Sequence, residues 1–419
     1  MPTSPIDLAT PRGSQPSIWR LPENNRRSPT KSHKAIDVIL DRSVASQGVC
    51  HQFRVFGDAM PDFPTAESSL QAVCRSWLGP RTVVIEPLPG SGFSGAGVWR
   101  VRSGADEWVL KSWTPGEIAS GGADRIAWVH SLMRHLRRRG IDEVSEPRVA
   151  LNGGSAVVDA EGTWWELLPF IPGTATDRPT GAQVTAAASC LARIHLAAES
   201  FAAGPRERCV PAALQRRMAA AQRLISSPWT SAEFRGTRQT FTPMQQAVAE
   251  RLFQAVEVFA AGGGEQAIHR VAALRPPEMV VQAVVRDVWC DHVLYAEDDP
   301  SRVAGVIDLH AAAIDTPATD IARLVGSWRA ESGRSPTANW ATALAAYEAI
   351  RPLSEVERRW IPWLHATGVI FGLDNWFRWT LLESRGFVRP AQALSRLDRL
   401  IEQFPAALVD VVDPAVNAV

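Results

Sequence analysis

Two hydrophobic rhythms divide the chain. Between residues 80 and 171, apolar positions fall in short β-branched or alternating runs: TVVIEPL, GVWRVRS, EWVLKSW, SAVVDA and GTWWELLPFI. That period of two is the mark of half-buried strands. The Gly-rich segment PGSGFSGAG separates the first two runs, and a tight turn at 104–106 separates the next pair. The strands therefore read as an antiparallel meander. A helix is expected over 122–139, and another over PTAESSLQAVCRSWLG, where Leu70, Val73, Trp77 and Leu78 recur at helical spacing, Thr65 offers a cap and Gly79 a stop. From about 180 onward the pattern is mainly helical, clearest in AAASCLARIHLAA, and a β-rich island over 280–309 interrupts it. Strands first, helices later and no βαβ alternation predict an α+β fold in two lobes. The expected boundaries are a small antiparallel-sheet N-lobe over 64–168, a large helical C-lobe over 169–405 and a tail over 406–419. Residues 1–63 are rich in Pro, Ser, Thr and Arg, with no sustained apolar period apart from AIDVIL. They read as a disordered extension, or as sequence translated from upstream of the true start.

Composition narrows the function classes. The chain has 44 Lys+Arg against 44 Asp+Glu, a balance that argues against coating nucleic acid or an anionic membrane. No apolar run approaches the roughly 18 residues of a spanning helix, and no basic-then-apolar leader opens the chain. The five cysteines are scattered and form no CxxC pair, which fits a reducing, cytoplasmic setting. The basic residues divide into 41 Arg and 3 Lys, and after residue 34 only Lys111 remains. An isolated lysine in an arginine-using chain suggests a position that needs a compact ammonium and not a planar fork; chance survival on the surface is the plain alternative.

Two constellations carry candidate chemistry. In the first, Gly90, Gly92 and Gly95 precede a strand, a turn and a second strand bearing Lys111. A dinucleotide fingerprint would open a helix instead, so a dehydrogenase is disfavoured. Strand, glycine loop, strand and lysine strand together form a phosphate-covering flap, in which backbone N–H groups approach the phosphates and the lysine neutralises them. In the second, Val285-Arg286-Asp287 opens a charged loop through Asp291 and His292, and a strand run (VAGVID) ends on Asp308. If the strands leading into Asp287 and Asp308 pair as a hairpin, the two carboxylates meet as a base beside a metal ligand. A flexible hairpin and solvated loop acids are the ordinary readings of the same residues. Asp320 begins a helix and is equally readable as an N-cap.

These motifs, in this order, resemble the aminoglycoside phosphotransferase and choline kinase group, small-molecule kinases of protein-kinase-like fold. The family's H-G-D-x-x-x-x-N segment, I-D-[FW] turn and D-x-A helix are matched by V-R-D-V-W-C-D-H, V-I-D-L and T-D-I-A; its hinge and L-A-x-[IL]-H helix are matched by WELLPFIPG and LARIH. The similarity spans about 65 to 400. It implies ATP and Mg²⁺ as cofactors, a small-molecule hydroxyl substrate, and neither nucleic-acid nor membrane partners. It makes Asp287 the catalytic base, Asp308 a metal ligand, Lys111 and the flap glycines the phosphate site, and Asp320 a brace for the catalytic loop. The Pro169 carbonyl and Ile171 amide would face adenine. Three departures stand out. His292 occupies the family's second metal-ligand position, normally Asn, which leaves two expectations: Asp291 supplies the oxygen, or the site favours Mn²⁺. Val285 and Arg286 replace His and Gly. The helix after Lys111 has no glutamate to pair it, only Asp124. These departures keep a second reading in play, a catalytically impaired pseudokinase that binds nucleotide or acts as a scaffold. Acids and arginines are about equal in number from 166 to 400, so the excess acidity suited to a polycationic aminoglycoside is missing. The late tryptophans Trp360, Trp363, Trp376 and Trp379 are expected to be core.

Overall fold

The computed structural model describes residues 66–88, 96–119, 121–204, 206–229, 241–331, 336–383 and 390–412. The chain divides into two units, 1–61 and 62–419, and every described residue belongs to the second. The expected N-terminal extension thus lies outside the described residues.

Helix α1 (Ala66–Leu78) leads into strands β1 (Val84–Pro87), β2 (Val98–Ser103) and β3 (Asp106–Trp113). A short helix, α2 (Pro115–Ile118), and α3 (Gly122–Arg138) follow, then β4 (Val157–Val158) and β5 (Trp164–Pro169). The five strands form one antiparallel sheet in the order β1-β2-β3-β5-β4. Strand alternation sets its two faces. Leu110 points toward α1, where it packs with Cys74, Trp77, Trp165 and Leu167. Its neighbours Lys111 and Trp113 point the other way, toward α3, whose Ile126, Val129 and Met133 belong to the main core. The β2–β3 turn needs Gly104, whose φ of 63° is disfavoured with a side chain.

The second lobe is mainly helical, as the apolar periodicity predicts. It comprises α4 (Gly181–Ala198), β6 (Glu207–Cys209), α5 (Ala212–Ser226), α6 (Pro243–Ala261), α7 (Gly264–Ala272) and β7 (Met279–Val284). Strands β8 (Val293–Tyr295), β9 (Val303–Val306) and β10 (Ala313–Asp315) come next, then α8 (Pro317–Ser327), α9 (Pro336–Glu348), α10 (Glu355–Phe377) and α11 (Pro390–Val412). Thr180 with Gln183, Thr242 with Gln245 and Ser354 with Glu357 form capping boxes that start α4, α6 and α10. Trp229 anchors an aromatic cluster, stacked on Phe377 with ring centroids 4.6 Å apart. Trp363 and Trp376 are buried, and Trp360 and Trp379 pack against the same core, in keeping with their expected role. The last helix continues through Pro405 to Val412, past the boundary expected at 405.

One pairing differs from expectation. The strand before Asp287, β7, pairs with β6 and β10; the strand before Asp308, β9, pairs with β8. The two acids are therefore not the ends of one hairpin. A charged loop and a 3₁₀ turn (Cys290–His292) intervene after β7, and these eight residues carry the chain out of its sheet before the β8–β9 hairpin begins.

Candidate active site

Lys111 lies on β3 between two neighbours, paired with Val98 on β2 and Glu166 on β5. It is nearly buried, 8% exposed, and its Nζ donates to Asp308 Oδ1 at 2.6 Å. Burial alone would push the ammonium down, but the carboxylates of Asp308 and Glu166 outweigh it and raise Lys111 above its ordinary value. Asp308 shows the converse. Burial works to raise it, yet Lys111, His292 and His310 hold it well below the usual carboxylate range. The lysine singled out by its rarity is thus a charged partner of the carboxylate that ends the VAGVID run.

Asp320, fully buried, organises the loop after β7. Its Oδ2 accepts from Val285 N at 2.8 Å, its Oδ1 accepts from Arg286 N at 2.7 Å, and His195 Nε2 lies 3.0 Å from Oδ2. It belongs to α8 and is not an N-cap; the cap position is Thr316. Among the described residues, Arg286 and Asp308 are the only non-glycines with positive φ, 67° and 63°. Left-handed backbone at such residues costs about 1–3 kcal/mol and persists where the surroundings over-determine it. Here one occurrence immediately precedes Asp287 and the other is Asp308 itself. Asp287 follows Arg286, with its Oδ1 accepting from Trp289 Nε1 at 2.8 Å and Arg323 Nε 3.6 Å away. Its Oδ2 makes no hydrogen bond among the described residues.

His292 links the two acids. Its Nδ1 lies 2.7 Å from the Asp287 carbonyl, so that nitrogen carries a proton, and in the neutral ring the lone pair is on Nε2. That Nε2 is 3.8 Å from Asp308 Oδ2 and 3.9 Å from Asp291 Oδ1. Asp291 is engaged elsewhere, receiving Arg396 Nη2 at 3.0 Å on both oxygens. Among the described residues, no group of three His, Cys, Asp or Glu side chains converges as a metal site. Asp308 Oδ2 and His292 Nε2 nevertheless face each other. A divalent cation is commonly held by one or two protein ligands plus nucleotide phosphates, so this donor pair fits one, with the phosphates completing the shell.

Glu166 is the site residue that sequence reasoning missed. It is 1% exposed and accepts from Trp113 Nε1 at 3.2 Å; His130 Nε2 lies 2.6 Å from its Oε2 and His310 Nε2 lies 2.6 Å from its Oε1. Burial opposes ionisation, but the two imidazoles hold it well below its ordinary value. His310 stacks on Trp113 with centroids 3.8 Å apart, and its Nδ1 is 3.2 Å from Glu117 Oε1. Asp124, the only acid expected on α3, is exposed in the first turn of that helix. The position facing the sheet is His130, and the negative charge opposite Lys111 comes from the neighbouring strand.

At the hinge, the Pro169 carbonyl accepts from Ser145 Oγ at 3.3 Å and retains a second lone pair. Among the described residues, the Ile171 N–H meets no acceptor. Gly90, Gly92 and Gly95 lie outside the described residues, but the stems of their loop are fixed. Leu88 N donates to Val98 O and Ser112 N to Gly97 O, each at 2.9 Å.

The sequence profile of the phosphotransferase enzyme family matches residues 85–353, from β1 past α9. The chain belongs to that family. Among the phosphotransferases it is similar to homoserine kinase of Phenylobacterium zucineum, 30% identical over 277 residues that cover 65% of this chain and 75% of that one. It is also similar to homoserine kinase of Xanthobacter autotrophicus, 25% identical over 279 residues, 66% and 77% of the two chains. Its fold is similar to spectinomycin phosphotransferase in complex with ADP and spectinomycin, TM-score 0.53 at 13% identity, covering 83% of this chain and 97% of that one. The amicoumacin kinase in complex with AMP-PNP and Ca²⁺ gives TM-score 0.50 at 13% identity, 82% and 94% covered. The bilobal kinase-like architecture expected from the motifs is the architecture found. No helix among the described residues is long and apolar enough to cross a membrane.

Proposed function

We propose that this phosphotransferase transfers the γ-phosphoryl group of ATP to a hydroxyl of a small molecule. The observation that carries the reading is the convergence on one cleft of Lys111, Asp308, His292 and Asp287, residues from both lobes, through contacts of 2.6 Å, 3.8 Å and 2.7 Å. The relatives are named for homoserine and the fold neighbours for spectinomycin and amicoumacin, and their names share phosphoryl transfer to a small molecule.

Each residue then has a defined task. The flap glycines and Lys111 hold the phosphates, and the Pro169 carbonyl and Ile171 N–H receive the adenine edge. Asp308 and His292 would hold Mg²⁺ or Mn²⁺, which when bound offsets phosphate charge. The loop braced by Asp320 points Asp287 Oδ2 at the acceptor. As the acceptor oxygen bonds to the γ-phosphorus and the bond to the ADP oxygen breaks, the hydroxyl proton passes to Asp287. Val285 takes part through its N–H, so the loss of a histidine side chain there leaves the brace intact. Lys111 is held by Asp308 without a helix glutamate. Both observations favour a working enzyme over an impaired scaffold.

The test couples nucleotide titration with ADP formation. Wild type should bind ATP with a divalent ion and release ADP only with an acceptor alcohol. Asp287→Asn should keep ATP affinity and lose at least a hundredfold in turnover, the scale of general-base catalysis. Equal turnover by wild type and Asp287→Asn would sink the assignment.

A further inference from the structure

A cleft walled by α5, α8, α10, α11 and the loop residue Trp289 reaches Asp287 through Trp289 and Arg323. Its ionisable lining is Arg217, Arg323 and His365, with no carboxylate among the lining residues. Burial holds His365 down at about 4, which leaves it neutral near pH 7.

Arg217 has only neutral hydrogen-bond acceptors, and Arg323 has one loose ion-pair partner, Asp287 at 3.6 Å. Arg217 donates from Nε to Thr367 Oγ1 at 2.8 Å, from Nη1 to Ala213 O at 3.0 Å and from Nη2 to Leu364 O at 3.1 Å. All three acceptors are neutral, and among the described residues no carboxylate forms an ion pair with it. Two of its five N–H groups remain unspent. Burial and the neighbouring Arg323 pull Arg217 down to about 9, and it stays cationic at neutral pH. Arg323 lies over the Trp289 ring, 5.1 Å from the centroid, and makes no hydrogen bond among the described residues. A further polar group on this wall is unsatisfied: the hydroxyl of Thr319, 7% exposed, has no hydrogen-bond partner among the described residues.

Resting on the kinase reading above, we propose that the acceptor is a small alcohol carrying an anionic oxygen group, carboxylate or phosphate, held by Arg217 and Arg323. A guanidinium fork matches either group in a bidentate manner. Arg217 is partly buried with no ion-paired carboxylate of its own among the described residues, only the more distant pull of Asp315, and an anion placed against it offsets its desolvation cost. A polycation would instead meet two like charges. Scale follows from geometry: Arg323 Nε stands 3.6 Å from Asp287 Oδ1, so anion and reacting hydroxyl are separated by only a few bonds. The anionic group is a handle and is unchanged when the hydroxyl takes the phosphoryl group.

Matched alcohols test this: L-homoserine against homoserine amide, and glycerol 3-phosphate against glycerol, with choline and spectinomycin as cations. ADP formation is followed in wild type, Arg323→Gln and Arg217→Gln, and ATP binding is titrated separately. At least one anionic member should exceed its matched partner by tenfold or more in kcat/KM, and which pair does so distinguishes carboxylate from phosphate. Both variants should cut the ratio of anionic to matched kcat/KM by roughly tenfold to hundredfold, the scale of a charge-assisted contact, whatever common change the loss of a guanidinium near Asp287 makes to both members of the pair. Arg217 also ties α5 to α10, so Arg323→Gln keeps the test valid if the Arg217 variant fails to fold. Preference for the cations, equal use of anionic and matched alcohols, or no use of any anionic member by protein that binds ATP would each overturn the proposal and leave nucleotide binding intact. Absence of ATP binding would overturn the kinase reading itself.

Discussion

Lys111 and Asp308, 197 residues apart in sequence, meet at 2.6 Å. The contact joins the sheet lobe to the segment after β9, so the proposed phosphate and metal sites share one ion pair. Lys111→Met is expected to raise the ATP Kd by roughly 10- to 100-fold, the loss of one desolvated charge-assisted contact. The fold should survive, because Asp308 keeps 31% of its side-chain surface exposed and can be hydrated. A Tm change of at most about 4 °C is expected. Lys111→Arg should fail nearly as badly, since a planar fork does not replace a point charge between Asp308 and Glu166. Isothermal titration with a non-hydrolysable nucleotide checks both, and unchanged affinity in Lys111→Met would refute the role.

Asp320→Asn separates bracing from chemistry. Asparagine keeps one acceptor oxygen and turns an NH₂ toward either Val285 N or Arg286 N. One orphaned buried donor costs about 1–3 kcal/mol, and the contact to His195 weakens as well. A loss of roughly 2–4 kcal/mol in urea denaturation is expected, with a fall in kcat as the left-handed Arg286 relaxes and Asp287 swings away. Native stability with native kcat would show that the two amides find other partners.

Much of this was legible in the chain, for reasons that differ by residue. Lys111 showed itself by rarity, and Asp287, Asp308 and Asp320 by order and spacing along one stretch. Glu166 was not legible, because its meaning lies in cross-strand register: it is a site residue only once β5 pairs with β3 and sets it opposite Lys111. His130 is one polar residue among the apolar positions of α3, and only the fold brings it to Glu166. The hairpin expected between the strands before Asp287 and Asp308 failed because periodicity marks strands without naming partners, and β7 found β6 and β10 instead. Arg217 and Arg323 could not be told from the other arginines, since lining one cleft without a carboxylate in its wall is a property of the fold.

His292 gives a prediction about the metal. With Nδ1 donating to the Asp287 carbonyl, the free Nε2 is a better ligand for Mn²⁺ than for Mg²⁺, which prefers oxygen. Wild type with a non-hydrolysable nucleotide should bind Mn²⁺ more tightly than Mg²⁺, and pulsed paramagnetic resonance should detect nitrogen coupling to the bound Mn²⁺. His292→Asn should remove that coupling and shift preference toward Mg²⁺ by several-fold. If wild type lacks the nitrogen signal, His292 only props the loop and water completes the shell.

His365 supplies a pH dependence whose sign is fixed by burial. Its ring packs against α8 where Gly326 leaves room; a Cβ on Gly326 would stand 2.1 Å from Nδ1. Burial lowers His365 from 6.5 to about 4, because the imidazolium would lose its hydration there. The unfolded chain therefore binds a proton near pH 6.5 that the folded chain refuses until about pH 4. Stability is whole above 6.5, declines as pH falls through that window and levels off below it. The whole shift corresponds to at most about 3 kcal/mol, since each unit is worth about 1.4 kcal/mol. His365→Gln, which cannot titrate, should flatten the part of the urea-stability curve between pH 6.5 and 4 relative to wild type. It should leave the steeper loss from carboxylate protonation at lower pH in place. Parallel curves for the two proteins across that window would mean that His365 is solvated and that the cleft wall is more open to water than its packing implies.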